Sequence, residues 1–107
     1  MTSAETVVVT AYFRPRPESR GAVLDALAAA IPRVHDETGC ELYAIHDAPD
    51  GSIVMIEKWA SVADLDAHGD GAPVADLVAA LDGLLLEPVA VTRLVPVPVG
   101  DPQRGEL

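Results

Sequence analysis

Glu57, Trp59 and His68 are the residues of this sequence whose types and spacing could carry out chemistry. Glu57 and Trp59 lie two positions apart in a segment that predicts a strand, so their side chains share one sheet face with Ile53 and Met55. A carboxylate among apolar neighbours is costly to bury unless it has a partner. His68 follows on a short predicted helix that could fold back over the same face. These side chains therefore predict a small pocket: a ring to stack on a planar ligand, an imidazole to exchange a proton, and a carboxylate to orient a donor.

The elements that position these residues follow from the spacing of apolar side chains. Strands are predicted over 6–14, 41–47, 52–59 and 88–97, and helices from 18 to about 38, over 61–68 and over 73–86, with Gly69-Asp70-Gly71 between the last two. Pro32 lacks an N–H and crowds the preceding turn, so we expect it to kink or split the first helix. The order β-α-β-β-α-β predicts the ferredoxin-like fold, an α+β arrangement with one antiparallel sheet and its helices on one face.

The length and composition of the chain limit both the number of domains and the kinds of partner that we expect. The chain has 107 residues, 50% of them hydrophobic, and a formal net charge of −10. We expect a single domain, residues 1–107, with a core over about 6–97 and a C-terminal arm or disordered tail over 98–107. The acidic balance argues against nucleic acid and anionic membranes as partners, because both would be repelled. The N-terminus lacks a basic segment, and the apolar run at 7–9 is too short for a signal peptide or a membrane span, so the expected location is cytoplasmic.

The predicted strands are apolar on both faces. In the first strand Val7, Val9 and Phe13 alternate with Val8 and Tyr12. A ferredoxin-like sheet has helices on one face only, and no residues are left to build a second layer over the other face. A second copy of the chain is the simplest cover, so the sequence predicts a homodimer in which two sheets pack face to face.

The sequence resembles the antibiotic biosynthesis monooxygenase family, including its quinol monooxygenases, from about Val7 to Leu94. The resemblance includes the opening apolar strand, the helix end His35-Asp36-Glu37-Thr38-Gly39-Cys40, the strand signature Glu57-Lys58-Trp59, the pair Ala67-His68 and Pro88 at the start of the last strand. The family's helix end usually reads Glu-Pro-Gly-Cys, and Thr38 stands here in place of that proline. The order and spacing of these pieces, rather than any one of them, carry the resemblance.

The resemblance implies a dimeric α/β barrel with a ligand cavity between each monomer's sheet and its helices. It also implies oxygenation of phenolic or quinol-like polycyclic aromatic substrates, with molecular oxygen as co-substrate and no metal, flavin or haem. Oxygen reacts slowly with closed-shell organic molecules, but a phenolate or enolate can give it an electron. The protein then needs to bind the substrate, remove a proton and stabilise the anion.

Roles for individual side chains follow from that chemistry. His68 is the candidate base, Trp59 would stack on or hydrogen-bond the substrate, and Glu57 would orient a neighbour or the substrate hydroxyl. The candidate substrate-binding residues are Trp59, Tyr43, Arg93 and Met55, with Arg93 offering a cation to the anion and Tyr43 lining the cavity. Each also has a structural interpretation: a helix-end histidine, core packing for the rings, or an ion pair for the charged groups.

Other functions stay open at this stage. An isomerase or cyclase of the same fold could use His68 as an acid–base without oxygen, and a non-catalytic dimeric domain could hold a small hydrophobic ligand. Metal catalysis has little support, because His35, His46 and His68 lack metal-site spacing. No glycine-rich loop follows a strand to hold a nucleotide cofactor. Cys40, the sole cysteine, reads as a small buried hydrophobe or, as the alternative, a catalytic thiol.

Overall fold

Four strands and three helices follow one another along residues 5–107, the part of the chain that this computed structural model describes. The elements are β1 (Val7–Phe13), a 3₁₀ turn (Pro17–Ser19), α1 (Arg20–His35), β2 (Cys40–Asp47), β3 (Ile53–Trp59), α2 (Val62–Gly69), α3 (Ala72–Leu81) and β4 (Ala90–Leu94). The strands form one sheet in the order β2-β3-β1-β4, with every neighbouring pair antiparallel. This arrangement confirms the predicted ferredoxin-like α+β fold.

The register of the sheet places polar side chains in one row across its inner face, the face that packs on the helices. Glu57 on β3 lies opposite both Tyr43 on β2 and Val9 on β1, and Val9 lies opposite Arg93 on β4. Paired residues in antiparallel strands point to the same side, so all four side chains face the helices. Neighbouring inner-face residues of β1 and β3, such as Ala11 and Met55, are apolar and buried.

Helix α1 runs unbroken from Arg20 to His35, so the expectation that Pro32 splits it is wrong. Pro32 lies in the last turn on the exposed side, where one missing N–H removes one backbone hydrogen bond near the end of the helix. Val23, Leu27 and Val34 form the buried stripe that holds α1 on the sheet. Packing of this stripe outweighs the local cost of the proline, as tertiary contacts commonly do.

The turn after α1 supports the start of α2. Gly39 has a φ of +80°, in the left-handed region, and its carbonyl accepts a hydrogen bond from the amide of Ala60 at 2.9 Å. A Cβ at this position would lie 2.2 Å from a carboxylate oxygen of Asp64. Ser61 caps α2, because its hydroxyl accepts from the Asp64 amide at 3.1 Å. The glycine therefore satisfies both the backbone conformation and the close approach of α2.

Strand β4 is shorter than predicted, and all its residues are exposed. It is an edge strand that pairs with β1 alone, and Pro96 and Pro98 cannot donate to a ladder. The chain beyond β4 contains a turn in which Asp101 accepts hydrogen bonds from the amides of Gln103 and Arg104. Its end lines a shallow cavity with Val8, on the outer face of the sheet. Within residues 5–107, no helix is long and apolar enough to cross a membrane.

Replacement of Gly39 by alanine should destabilise the fold by about 2 kcal/mol or more. A left-handed conformation costs an L-residue roughly 1–2 kcal/mol, and the methyl group must also displace Asp64. Gly21→Ala is the matched control, because Gly21 lies in α1 with open space around its Cβ position and should be neutral or stabilising by up to about 1 kcal/mol. Urea unfolding of both variants measures the difference, and equal stability of Gly39→Ala and wild type would contradict the role of the turn.

Candidate functional site

A cavity of about 260 Å³ lies between the inner face of the sheet and helices α2 and α3, and it opens to solvent. Its walls are mainly apolar, with contributions from residues such as Ala11, Leu77 and Val91. The polar groups on its walls are Tyr43, Glu57, His68 and Arg93. Tyr43, Glu57 and Arg93 belong to the polar row of the sheet, and α2 brings His68 over that row. A few convergent polar groups in an apolar cavity are typical of small-molecule sites.

His68 has one ring nitrogen engaged and the other available. Its Nδ1 lies 2.5 Å from Oε1 of Glu37, and the residue is only 7% exposed. The ring lies over Trp59, with centroids 4.5 Å apart and planes tilted by 32°, and it forms a T-shaped pair with Tyr43, with centroids 5.4 Å apart. Packing and hydrogen bonding therefore fix the imidazole in one orientation. Because Nδ1 is occupied and the ring lines the cavity, Nε2 is the nitrogen left for a ligand.

Glu57 is buried beside this imidazole but bonds to a different partner. It is 6% exposed, and its carboxylate accepts a hydrogen bond from the indole Nε1 of Trp59 at 2.9 Å. Burial raises the pKa of the Glu57 carboxyl above its usual value, while the Trp59 hydrogen bond and the charge of His68 act in the opposite direction. The carboxylate thus has the partner that its buried position requires.

Tyr43 contributes a hydroxyl group that resists ionisation. Burial raises the pKa of the phenol well above its usual value, and the negative charges of Glu57 and Glu37 raise it further. The phenol therefore stays neutral at physiological pH and remains a hydrogen-bond donor. Its ring also packs edge-on against Trp59, with centroids 6.4 Å apart.

Two predicted ligand contacts are absent from the cavity wall, which corrects the sequence-based picture. Trp59 and Met55 share the inner face with Glu57, as predicted, but both are fully buried and neither lines the cavity. Strand parity fixes the face of a side chain but not its depth, and His68 covers Trp59. Trp59 therefore supports His68 and Glu57 rather than presenting its ring to a ligand.

Arg93 lines the cavity but already has an anionic partner. Its guanidinium lies 2.8 Å from the Asp66 carboxylate on α2, and both side chains are more than half exposed. The structure thus combines the two sequence interpretations, a cavity wall and an ion pair. Such an exposed pair contributes little stability, so the guanidinium can exchange this partner for another anion at small cost.

Glu37 is the site residue that the sequence reasoning missed. Its carboxylate reaches His68 from the turn between α1 and β2, and the two residues are far apart along the chain. Its position in the helix-end segment His35–Cys40 was the available signal. The other two histidines lie outside the cavity and contact backbone carbonyls: His35 Nε2 that of Tyr43 at 3.0 Å, and His46 Nδ1 that of Val54 at 3.2 Å.

The remaining candidate groups do not form a second centre. Among residues 5–107, no three side chains of the His, Cys, Asp or Glu types converge where they could hold a metal ion. Cys40 is half-buried at the start of β2, and burial raises the pKa of its thiol, with Glu37 and Glu57 adding to the effect. A raised pKa disfavours the thiolate that a nucleophilic cysteine requires.

Comparison with known proteins shows the family of this chain. Residues 6–80 match the family model described as antibiotic biosynthesis monooxygenase. The chain belongs to the antibiotic biosynthesis monooxygenase family. Rv0793 of Mycobacterium tuberculosis, which bears the name monooxygenase, is 37% identical over 92 residues, covering 85% of this chain and 91% of the relative. The solved structure of Rv0793 matches with a TM-score of 0.83 and 35% identity, covering 90% of this chain and 99% of that one.

A second relative in this family carries a more specific name. YgiN of Escherichia coli K12, named as a quinol monooxygenase, is 45% identical over 74 residues, covering 59% of this chain and 70% of the relative. PA3566 from Pseudomonas aeruginosa has a TM-score of 0.81 at 21% identity, covering 91% of this chain and 99% of that one, and it shares the fold. Membership of the family supports a monooxygenase function in general, and the match confirms the family resemblance found in the sequence.

Because the pKa of Glu57 is raised, replacing it by the neutral glutamine should stabilise the fold by an amount that depends on pH. The folded chain holds the Glu57 proton more tightly than the unfolded chain does, so ionisation of this carboxyl lowers stability as the pH rises through its pKa. The stability of Glu57→Gln relative to wild type should therefore increase between pH of about 4 and about 6, below the usual titration of histidine near ~6.5. Glu18→Gln, at an exposed position, is the matched control. Denaturant unfolding across this range measures the stability of Glu57→Gln relative to wild type. A relative stability that stays constant or falls as the pH rises would contradict a raised pKa for Glu57.

Proposed function

We propose that this protein is a cofactor-independent monooxygenase that acts on a quinol or phenolic aromatic substrate by removing a proton and letting the anion react with O₂. The observation that carries the proposal is the His68 imidazole, which has Nδ1 held by Glu37 and lines an apolar cavity with its other nitrogen unengaged. A positioned imidazole with an unengaged ring nitrogen is suited to general base catalysis. Family membership supports the reaction class.

The proposed reaction balances without an external reductant. His68 accepts the proton of the substrate hydroxyl, and the resulting anion transfers an electron to O₂. The two radicals combine to form a carbon–oxygen bond at a ring carbon that bears hydrogen, and the peroxide anion takes back the proton held by His68 to give a hydroperoxide. Loss of water from the hydroperoxide leaves a carbonyl group, so one oxygen atom enters the product and the other leaves as water. For naphthalene-1,4-diol this sequence yields 2-hydroxy-1,4-naphthoquinone and one water molecule.

The other polar groups of the cavity complete the proposed roles. Tyr43 donates a hydrogen bond to the substrate oxygen as negative charge develops there, and its raised pKa keeps the donor protonated. Glu57 positions Trp59, which in turn supports the His68 ring. Arg93 at the wall could leave Asp66 and pair with an acidic substituent. Molecular oxygen is a co-substrate, and metal, flavin and haem have no part in the proposed reaction.

The size of the cavity favours a small aromatic substrate. A volume of about 260 Å³ lies just below the range of ~300–1,000 Å³ that is usual for drug-sized ligands. One or two fused rings fit this space, and the opening to solvent leaves room for further rings of a polycyclic compound to extend outward. The apolar walls suit a planar hydrocarbon body with its hydroxyl group directed at His68 and Tyr43.

A homodimer is part of the same proposal. On the outer face of the sheet, Val54 and Ile56 are half-buried, and Tyr12 and Leu94 are 47% and 42% exposed. The helices occupy the opposite face, so this apolar surface has no cover from within residues 5–107 apart from the end of the chain beside Val8. Burial against the same face of a second copy would remove it from water and yield two-fold symmetry.

The catalytic proposal predicts that His68→Gln lowers turnover of naphthalene-1,4-diol by at least about tenfold, because general bases contribute ~10²–10⁴-fold. Oxygen consumption above the spontaneous rate measures turnover, and ¹⁸O₂ labelling with mass spectrometry should find one labelled atom in the product. His46→Gln, which changes an exposed histidine outside the cavity, should retain wild-type activity. Near-UV circular dichroism checks that both variants fold.

The alternatives give different results in the same assay. Anaerobic turnover would indicate an isomerase or cyclase, and ligand binding without turnover would indicate a binding domain. Oxygen consumption that yields unlabelled quinone and hydrogen peroxide would show simple oxidation. Each of these outcomes contradicts the monooxygenase proposal.

The dimer proposal predicts a light-scattering mass of twice 11.2 kDa at micromolar concentration. Ile56→Arg places a charge in the centre of the outer face and should reduce the mass to that of one chain. Val62→Arg is the matched control, since Val62 is an exposed valine on α2 away from that face. A single-chain mass for the wild type, or a dimer of Ile56→Arg as stable as that of wild type, would contradict the proposed interface.

A further inference from the structure

We infer that Glu37 is the positioning residue of this site: it holds His68 in the tautomer that carries its proton on Nδ1, so that Nε2 faces the cavity as a hydrogen-bond acceptor. The part of this inference that concerns catalysis rests on the proposed function, whereas the assignment of the His68 tautomer does not. It also gives a physical role to the helix-end segment His35–Cys40, which contains Glu37.

The contact itself determines where the proton lies. An ionised carboxylate can only accept hydrogen bonds, so a Glu37 oxygen 2.5 Å from Nδ1 requires a proton on that nitrogen. A neutral imidazole carries a single ring proton, and Nε2 is then an acceptor. Both side chains are largely shielded from water, at 7% and 20% exposure, which strengthens a charge-assisted bond of this kind.

The second carboxylate of the site does not compete for this role. Glu57 accepts from the indole of Trp59, so its bond fixes the ring on which His68 rests. Glu37 holds the edge of the imidazole, whereas Trp59 holds its face. Two independent contacts therefore define both the plane of the ring and its rotation within that plane.

The surrounding backbone makes room for the carboxylate. A Cβ at Gly71 would lie 3.2 Å from Oε2 of Glu37 and 3.3 Å from the backbone oxygen of His68. The Glu37 amide donates to the Val34 carbonyl at 2.9 Å, which continues the end of α1. The carboxylate thus lies between a fixed turn and the end of α2, in a space that the absence of a side chain at Gly71 leaves open.

The tautomer decides whether His68 can act as a base. With the proton on Nδ1, Nε2 presents a lone pair to a substrate hydroxyl. With the proton on Nε2, the same ring could only donate toward the cavity. Loss of an orienting carboxylate is known to impair a histidine base through the wrong tautomer.

Nitrogen NMR of uniformly ¹⁵N-labelled protein tests the inference directly. Long-range ¹H–¹⁵N correlation, at a pH where the rings are neutral, should show His68 protonated on Nδ1 in the wild type. His35 and His46 supply internal references, because carbonyl partners require a proton on Nε2 of the former and on Nδ1 of the latter. Wild-type His68 protonated on Nε2 would overturn the inference without the need for any variant.

Variants of Glu37 distinguish a role in positioning His68 from a general contribution to the stability of the fold. Glu37→Leu removes the acceptor and should move the His68 proton to Nε2 and lower kcat at least about tenfold. Glu37→Gln retains an acceptor oxygen and should restore the Nδ1 proton and part of the activity. Asp36→Asn removes an exposed carboxylate one residue away and should change neither. If Glu37→Leu fails to fold, the wild-type spectrum alone still decides the tautomer.

The two readouts distinguish this inference from the proposed function. An unchanged His68 tautomer in a folded Glu37→Leu, or full activity in that variant while His68→Gln is inactive, would refute the role of Glu37. Absence of oxygen-dependent turnover in the wild type, with the predicted tautomer observed, would refute the monooxygenase proposal and leave the positioning role intact.

Discussion

Burial of polar groups between the sheet and its helices is the constraint on which the arrangement of this site depends. A buried carboxylate or imidazole is costly unless it is hydrogen-bonded. Glu57 meets this requirement through Trp59, and His68 meets it through Glu37. Because these partners come from β3, α2 and the turn after α1, satisfying them brings three separate parts of the chain together. Among residues 5–107, no fully buried side-chain nitrogen or oxygen lacks a partner, so this polar cluster is compatible with a stable fold.

The same constraint explains how an aromatic-poor chain builds a defined site. Only 4% of the residues are Phe, Trp or Tyr, and two of these rings surround one histidine. Trp59 supplies a large rigid surface for the imidazole, and Tyr43 makes a T-shaped contact with it. Aromatic contacts of these geometries add about 0.5–1.5 kcal/mol beyond burial alone, and they restrict ring orientation. Three small aliphatic residues of the same face, Val9, Ala11 and Val91, line the cavity.

Much of this arrangement could be predicted from the sequence, because it depends on local periodicity. Strand parity placed Glu57 and Trp59 on one face, and the helix predicted after β3 brought His68 over them. Parity could not show that His68 would cover Trp59, since the depth of a side chain depends on what packs above it. Glu37 was missed because its partner lies 31 residues away and the turn that aims it has no periodic pattern. The length of β4 was overestimated because an apolar run shows strand propensity but not whether a neighbouring strand is present.

The charges around His68 also bear on the form in which a substrate enters. The chain carries a net charge of −10, and Glu37 and Glu57 flank the imidazole. An anionic phenolate would be repelled by this environment, whereas a neutral phenol would not, so ionisation is best delayed until the hydroxyl contacts Nε2. In the proposed reaction, the imidazolium formed by proton transfer would lie beside two carboxylates that stabilise its charge, while the neutral Tyr43 hydroxyl would donate to the new anion. The acidic surroundings that disfavour an anionic ligand would therefore stabilise the protonated base, and the Tyr43 donor would stabilise the anion, in the proposed reaction.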